Sequence, residues 1–315
     1  MNERIRLLLS KWGLSEVYVE EEESQEQPRT IKAGPIPATV NRAYRQAVDK
    51  IRQAMEGLRR GDCVPLMELG RSCSQLVMKI ASEPDVLSYL HLLNYWDDYT
   101  FQHSVKVGVL ATLLAQWLKM PPSEHLQVAT AGVLHDLGKA LVPLEILNKP
   151  GRLTTEELAV VRTHCLAGHS LLSPDFGSDS IPSRAALEHH ERMDGSGYPQ
   201  RLRAQDTLLT SRIVAVADVY DAMTSDRVYQ PRQPGYAVLA QLQESSFSVL
   251  DPRVTQTFVE HVVQRVHGQT VRLSNGLVGQ VVFVHERDPQ RPIVAVGKRL
   301  IDLSRQSAIH LVGEA

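Results

Sequence analysis

Two dense clusters about fifty residues apart constrain this chain more than anything else in it: His135-Asp136-Leu137-Gly138-Lys139 and His189-His190-Glu191-Arg192-Met193-Asp194-Gly195-Ser196-Gly197-Tyr198-Pro199. Each sets a vicinal pair of metal-capable side chains beside glycine, so a fold that uses both must bring them together and turn the backbone sharply there. Neutral imidazole and carboxylate suit zinc, manganese or iron, and adjacent ions of that kind can activate a water for attack on phosphorus.

The frame around the clusters reads as helical. Leu110, Leu113, Leu114 and Trp117 form one apolar stripe on a helix that starts near Phe101, and Pro121 and Pro122 end it. The next helix is expected over about 123–138. Thr154 and Glu157 have capping-box spacing, which predicts a further helix from Thr155 that carries His164. Helices are also expected over Asn41–Leu58, over Ile213–Met223 and near 253–266. Residues 1 to about 40, with an acidic patch at Glu20–Glu23 and Pro28, Pro35 and Pro37, read as a tail and linker. The last part changes period: Val271–Leu273 and Leu277–Val284 flank Asn275-Gly276, and alternation resumes over Ile293–Val296, which predicts a small β module.

Composition narrows the function. A net charge of -2 without a basic run argues against a DNA or RNA polymer as ligand, where clustered Lys and Arg neutralise phosphates. A small nucleotide needs only a local basic pocket. Three cysteines without CxxC spacing favour a reducing compartment, and no apolar run is long enough for a membrane span, so a soluble cytoplasmic protein is expected.

Within the first cluster, Asp136 can bridge two cations with its two oxygens. Lys139 shares a helical face with His135 and Asp136, where its ammonium can offset charge developing on a bound phosphate. In the second cluster Gly195 and Gly197 free the backbone and Pro199 fixes its exit, so the loop can hold Tyr198 and Asp194 near the site or against a partner surface.

Read together, HD-x-G-K and HHE-x-x-DG-x-GYP resemble the HD-GYP domains, the cyclic-di-GMP phosphodiesterase branch of the HD metallohydrolases, over roughly residues 95–268. The resemblance implies a mainly α, HD-type helical domain; the helical N-terminal segment (1–94) that leads into it matches nothing in the family, and the small C-terminal β module (269–315) is similar to extensions behind such domains. It implies metal ligands His103, His135, Asp136, His164, His189, His190 and Asp218 around two divalent transition metal ions, iron or manganese, with a hydroxide between them as nucleophile. His190 is the member that could instead orient a neighbouring ligand. Lys139 and Asp136 are the implied catalytic pair. Lys139, Asp194, Gly195, Gly197, Tyr198, Pro199 and Arg227 are the implied substrate contacts.

The sequence departs from the family pattern in places. Tyr99 stands where three-metal members carry Glu, which points to two ions; Gln230 replaces a frequent Lys or Arg; Cys165 stands where Pro is common, with no consequence expected. His91, His125, His169, His261, His267, His285 and His310 fall outside the motifs and are assigned no ligand role. The expected activity is hydrolysis of cyclic-di-GMP to pGpG and GMP, with a protein partner at the GYP loop and homodimerisation compatible with it. The rivals are another cyclic dinucleotide such as cyclic GMP-AMP, a different phosphate ester, and a non-catalytic nucleotide receptor or scaffold.

Overall fold

The computed structural model describes residues 36–93, 99–225, 238–239, 241–243, 249–266, 268, 270–285 and 288–314. The chain divides into Met1–Thr30 and Ile31–Ala315, and the first unit, where the tail is expected, lies outside the described residues. The second unit is mainly helical and closes with a small antiparallel sheet, in keeping with the expected class.

Helix α1 (Ala38–Arg60) buries Val40, Ala43, Tyr44, Ala47, Val48, Ile51, Ala54 and Met55, a three-to-four-residue repeat that marks one apolar face. Gly61, at φ 81°, stops it in the left-handed conformation that glycine adopts without strain. Helix α2 (Leu66–Ala81) lies against α1, and α3 (Val86–Leu92) follows. Helix α4 (Tyr99–Trp117) is the central rod, packed on α1, α2, α5 (Pro122–Leu134) and α10 (Leu209–Thr224). The single stripe expected for α4 understates it. Val105, Val107, Val109, Ala111, Thr112 and Ala115 are buried along with Leu110, Leu113 and Leu114, as in a helix enclosed by neighbours on every side.

Two glycines set the register between α4 and α5. A Cβ on Gly132 would lie 2.8 Å from Gly108 Cα, so the helices cross backbone to backbone and carry His103 and His135 to ring centroids 5.3 Å apart.

The helix expected over 123–138 is shorter. It ends at Leu134, Asp136 sits at φ -100° and ψ 9°, and a tight 3₁₀ turn occupies Leu137–Leu141. The cause is tertiary: a Cβ on Gly138 would lie 2.0 Å from the His164 carbonyl oxygen, so the chain must tighten where it meets helix α8 (His164–Phe176). Lys139 therefore reaches Asp136 through three-residue 3₁₀ spacing rather than along an α-helical face.

After a short turn of helix, α6 (Leu144–Leu147), Thr154 and Glu157 form the predicted capping box on α7 (Thr155–Arg162). That helix stops before His164, which instead opens α8 after a break at Thr163. Helix α9 (Ile181–Glu188), capped by Ser180, delivers His189 at its end. Helix α11 (Pro252–Val266) completes the helical core.

The C-terminal sheet has strand order β4-β3-β2-β1-β5, from β1 (Thr270–Leu273), β2 (Val278–His285), β3 (Asp288–Val296), β4 (Arg299–Asp302) and β5 (Leu311–Glu314). All pairings are antiparallel, and Asn275-Gly276 makes the predicted β1–β2 turn. Its own core is Val271, Leu273, Val281, Val294, Leu303 and Leu311. Strands β4 and β5 carry no clear alternation and were not expected.

Candidate metal centre

Five elements deliver the candidate ligands to one buried point: α4 (His103), the turn after α5 (His135, Asp136), the start of α8 (His164), the end of α9 (His189, His190) and α10 (Asp218). Asp136 lies in the middle, its side chain 1% exposed. Its Oδ2 faces His135 Nε2 at 3.4 Å and His103 Nε2 at 3.6 Å, while its Oδ1 faces His164 Nε2 at 3.3 Å and His189 Nε2 at 3.7 Å. The two oxygens of one carboxylate thus address two different imidazole pairs. Asp218 repeats the pattern, with Oδ1 3.0 Å from His103 Nε2 and Oδ2 4.0 Å from His190 Nδ1.

The imidazoles are held so that their Nε2 lone pairs converge. His135, His164 and His189 donate Nδ1–H to the carbonyls of Gly132 (2.7 Å), Val161 (2.7 Å) and Ala185 (3.0 Å), because a carbonyl can only accept. His103 donates Nδ1–H to Asp221 Oδ2 at 2.7 Å. Such bonds fix tautomer and ring direction in metal-binding histidines. His135 Nε2 and Asp136 Oδ1 are buried without a hydrogen-bond partner. Orphaned polar atoms of this kind are costly, and convergent nitrogen and oxygen donors without protons between them are what a divalent ion satisfies. The residues present fit a metal centre.

Electrostatics support the same reading. Burial pushes His164 down to about 3 and lowers His189 and His190 as well, so all three are neutral and ready to coordinate. Burial works against ionised Asp136, but Lys139 and His135 prevail and hold its carboxyl well below the usual range. Asp218 is held down likewise, chiefly by His103 against its burial. His103 differs: burial opposes its charge, yet Asp218 and Asp221 raise it to about 9.

Lys139 Nζ donates to Asp136 Oδ2 at 2.5 Å, with its side chain 23% exposed, so it stands between the carboxylate and the outside. In the glycine-rich loop a Cβ on Gly197 would lie 2.5 Å from His190 O, Glu191 Cα and Arg192 N, which makes glycine obligatory there, and Gly195 has φ 82°. Asp194 is exposed and its Oδ1 accepts from Ser196 N–H at 2.9 Å, inside the loop's own turn. Tyr198, joined to Pro199 by a cis bond, stacks on His190 with centroids 4.7 Å apart, and the Arg162 guanidinium lies over the Tyr198 ring at 4.8 Å. Arg227, Gln230 and the Tyr99 side chain lie outside the described residues.

Sequence reasoning missed three residues. Asp221, one helical turn beyond Asp218, orients His103. Lys106 lies buried 4.0 Å from Asp221 Oδ1, balancing that second carboxylate. Glu191 accepts from Gln200 N–H (2.7 Å) and Leu202 N–H (2.9 Å) and so anchors the loop beneath the histidine pair. The i,i+3 spacing of Asp218 and Asp221 was the available signal for the first. Among histidines outside the motifs, His125 and His169 bond backbone carbonyls, His261 stacks on Trp117 and His285 pairs with Asp302.

Residues 90–254 match the model of the HD domain family. The chain is 35% identical over 282 residues to the cyclic di-GMP phosphodiesterase PA4108 of Pseudomonas aeruginosa, covering 85% of this chain and 67% of that one. It is 41% identical over 132 residues to the 3'3'-cGAMP-specific phosphodiesterase 1 of Vibrio cholerae, covering 42% of this chain and 30% of that protein. The solved structure of an HDG"Y"P protein from Bdellovibrio bacteriovorus superposes with a TM-score of 0.58 over 73% of this chain and 74% of that one, at 19% identity, a likeness of fold.

Proposed function

This chain belongs to the HD domain family, in its HD-GYP branch, and on that premise we propose that it is a metal-dependent phosphodiesterase that opens cyclic-di-GMP to pGpG and then GMP. The observation that carries the reading is the division of Asp136: one carboxylate whose two oxygens face two separate imidazole pairs 3.3–3.7 Å away. That is a layout for two ions, with His103 and His135 on one side, His164 and His189 on the other, and Asp218 spanning from His103 toward His190.

Divalent ions there, iron or manganese by donor type, supply Lewis acidity and a water acidified toward neutral pH. The chain's own groups do the rest. Burial keeps His164, His189 and His190 neutral, so no proton competes at those nitrogens. Lys139 holds Asp136 ionised and, being partly exposed, can turn its ammonium to a phosphate oxygen as negative charge grows there. Tyr198 braces His190 face to face while Glu191 holds the loop's exit, leaving Tyr198 and Arg162 at the rim to meet a nucleotide.

In this reading residues 95–268 are the catalytic part, 1–94 lead into it and 269–315 form the β module, although α1 to α3 share one apolar core with α4. Among the described residues no helix is long and apolar enough to cross a membrane, and the three cysteines are free; we place the protein in the cytoplasm. The exposed residues Asp194 and Ser196 of the glycine-rich loop are the surface offered to a protein partner or a second copy.

A second reading, hydrolysis of cyclic GMP-AMP, is favoured by the 41% identity to the Vibrio relative. Turnover of cyclic-di-GMP and cyclic GMP-AMP by anaerobically metal-loaded protein separates the two. Faster conversion of cyclic-di-GMP, with pGpG appearing before GMP, is expected. Preference for cyclic GMP-AMP supports the second reading, and binding of both without turnover leaves only a receptor.

A further inference from the structure

We propose that Cys165 is itself a metal ligand, its thiolate joining His164 and His189 around one of the two ions. The inference rests on the reading of the cluster as a divalent metal centre and adds to it a donor of a different chemical kind.

Cys165 is buried at the start of α8, directly after His164, and its Sγ lies 3.4 Å from His164 Nε2. The Sγ and one donor atom each of His164, His189 and His190 all fall within 4.8 Å of one another. Two donors on one ion are held at a characteristic separation. With metal–nitrogen bonds of about 2.1 Å and metal–sulfur bonds of about 2.3 Å, nitrogen and sulfur lie about 3.1 Å apart at a right angle and about 3.6 Å apart at a tetrahedral one. The observed 3.4 Å falls inside that range.

A second observation points to the same place. Asp136 Oδ1, on a side chain 1% exposed, makes no hydrogen bond and is aimed at this group, 3.3 Å from His164 Nε2 and 3.7 Å from His189 Nε2. Those two nitrogens are themselves only 3.3 Å apart. Both rings have committed Nδ1–H to backbone carbonyls, so two lone pairs and a carboxylate oxygen point at one another. They repel unless a cation lies between them.

The competing use of the thiol is as an S–H donor to His164 Nε2. That bond would occupy the lone pair the metal needs, so the two roles exclude each other. On coordination the S–H bond breaks, its proton passes to solvent and sulfur keeps the electron pair. A soft thiolate shifts this side of the centre toward zinc or iron and away from manganese, and exposes it to oxidation.

The test is anaerobic reconstitution of the metal-free full-length chain with cobalt(II), read by absorption. Thiolate bound to cobalt gives an intense near-ultraviolet charge-transfer band that imidazole and carboxylate do not. The band is expected in the wild type, lost in Cys165→Ala and Cys165→Ser, and kept in Cys63→Ala and Cys73→Ala. Cobalt bound and cyclic dinucleotide cleaved without the band overturns the inference and leaves the phosphodiesterase reading standing. No cobalt uptake at all overturns both. A band that survives Cys165→Ala overturns the assignment to this residue.

Discussion

Asp221 Oδ2 accepts the Nδ1–H of His103 at 2.7 Å, fully inside the protein, so the ring that faces Asp136 and Asp218 is aimed by a carboxylate that does not itself face the other imidazoles. A backbone carbonyl does the same for His135, His164 and His189. Asp221→Ala should therefore weaken metal binding about 10- to 100-fold, the usual scale for removing such a partner, while Asp221→Asn, which can still accept through its amide oxygen, should keep most of it. Metal titration followed by calorimetry checks this. Equal affinity in Asp221→Ala and wild type would show that His103 needs no such support.

The same contact sets a pH dependence for the metal-free chain. His103 is raised from an ordinary 6.5 to about 9, so its stabilising contribution is complete below about 6.5 and is lost as pH climbs through 9. Asp218 and Asp221 are depressed, so theirs is present above the usual carboxylate range and is lost in acid. The melting temperature of the metal-free protein should fall between pH 6.5 and 9.5, and the fall should be absent in His103→Gln. A melting temperature that rises over that interval contradicts the assignment.

Lys139 separates charge stabilisation from metal binding. Lys139→Ala should retain its ions but lose about a hundredfold or more in turnover, as when one electrostatic donor is removed from a transition state. Metal analysis and steady-state kinetics on one sample decide the matter. Unchanged turnover with unchanged metal removes Lys139 from the mechanism.

Gly138 tests the reason for the 3₁₀ turn. A methyl group there meets the His164 carbonyl oxygen at 2.0 Å and Gly168 N at 2.5 Å, backbone atoms that cannot swing aside. Gly138→Ala should cost about 3 kcal/mol or more in denaturant unfolding, at the upper end for an overpacked site. A loss under about 1 kcal/mol, well short of that scale, means the turn has another cause.

These particulars also show what could be read from the chain in advance. Local codes were legible: the Thr154–Glu157 box, the Asn275-Gly276 turn and the ligand clusters all carry their chemistry within a few residues. Features set by distant contacts were not. The end of α5 at Leu134 depends on Gly138 meeting α8, and the all-round burial of α4 depends on the helices that enclose it. Asp221 and Glu191 resemble ordinary polar residues until folding places His103 and the loop amides against them. Cys165, given no role beforehand, joins the candidate donors only when the fold brings His189 and His190 beside it.

Metal content of Asp136→Ala, measured anaerobically alongside its phosphodiesterase activity, tests the central claim most directly. Among the described residues Asp136 alone faces both imidazole pairs at 3.3–3.7 Å, so wild type should carry two transition metal ions per chain and the variant should lose both, together with turnover, while keeping its helical circular dichroism. A variant that keeps two ions and full activity would contradict the account.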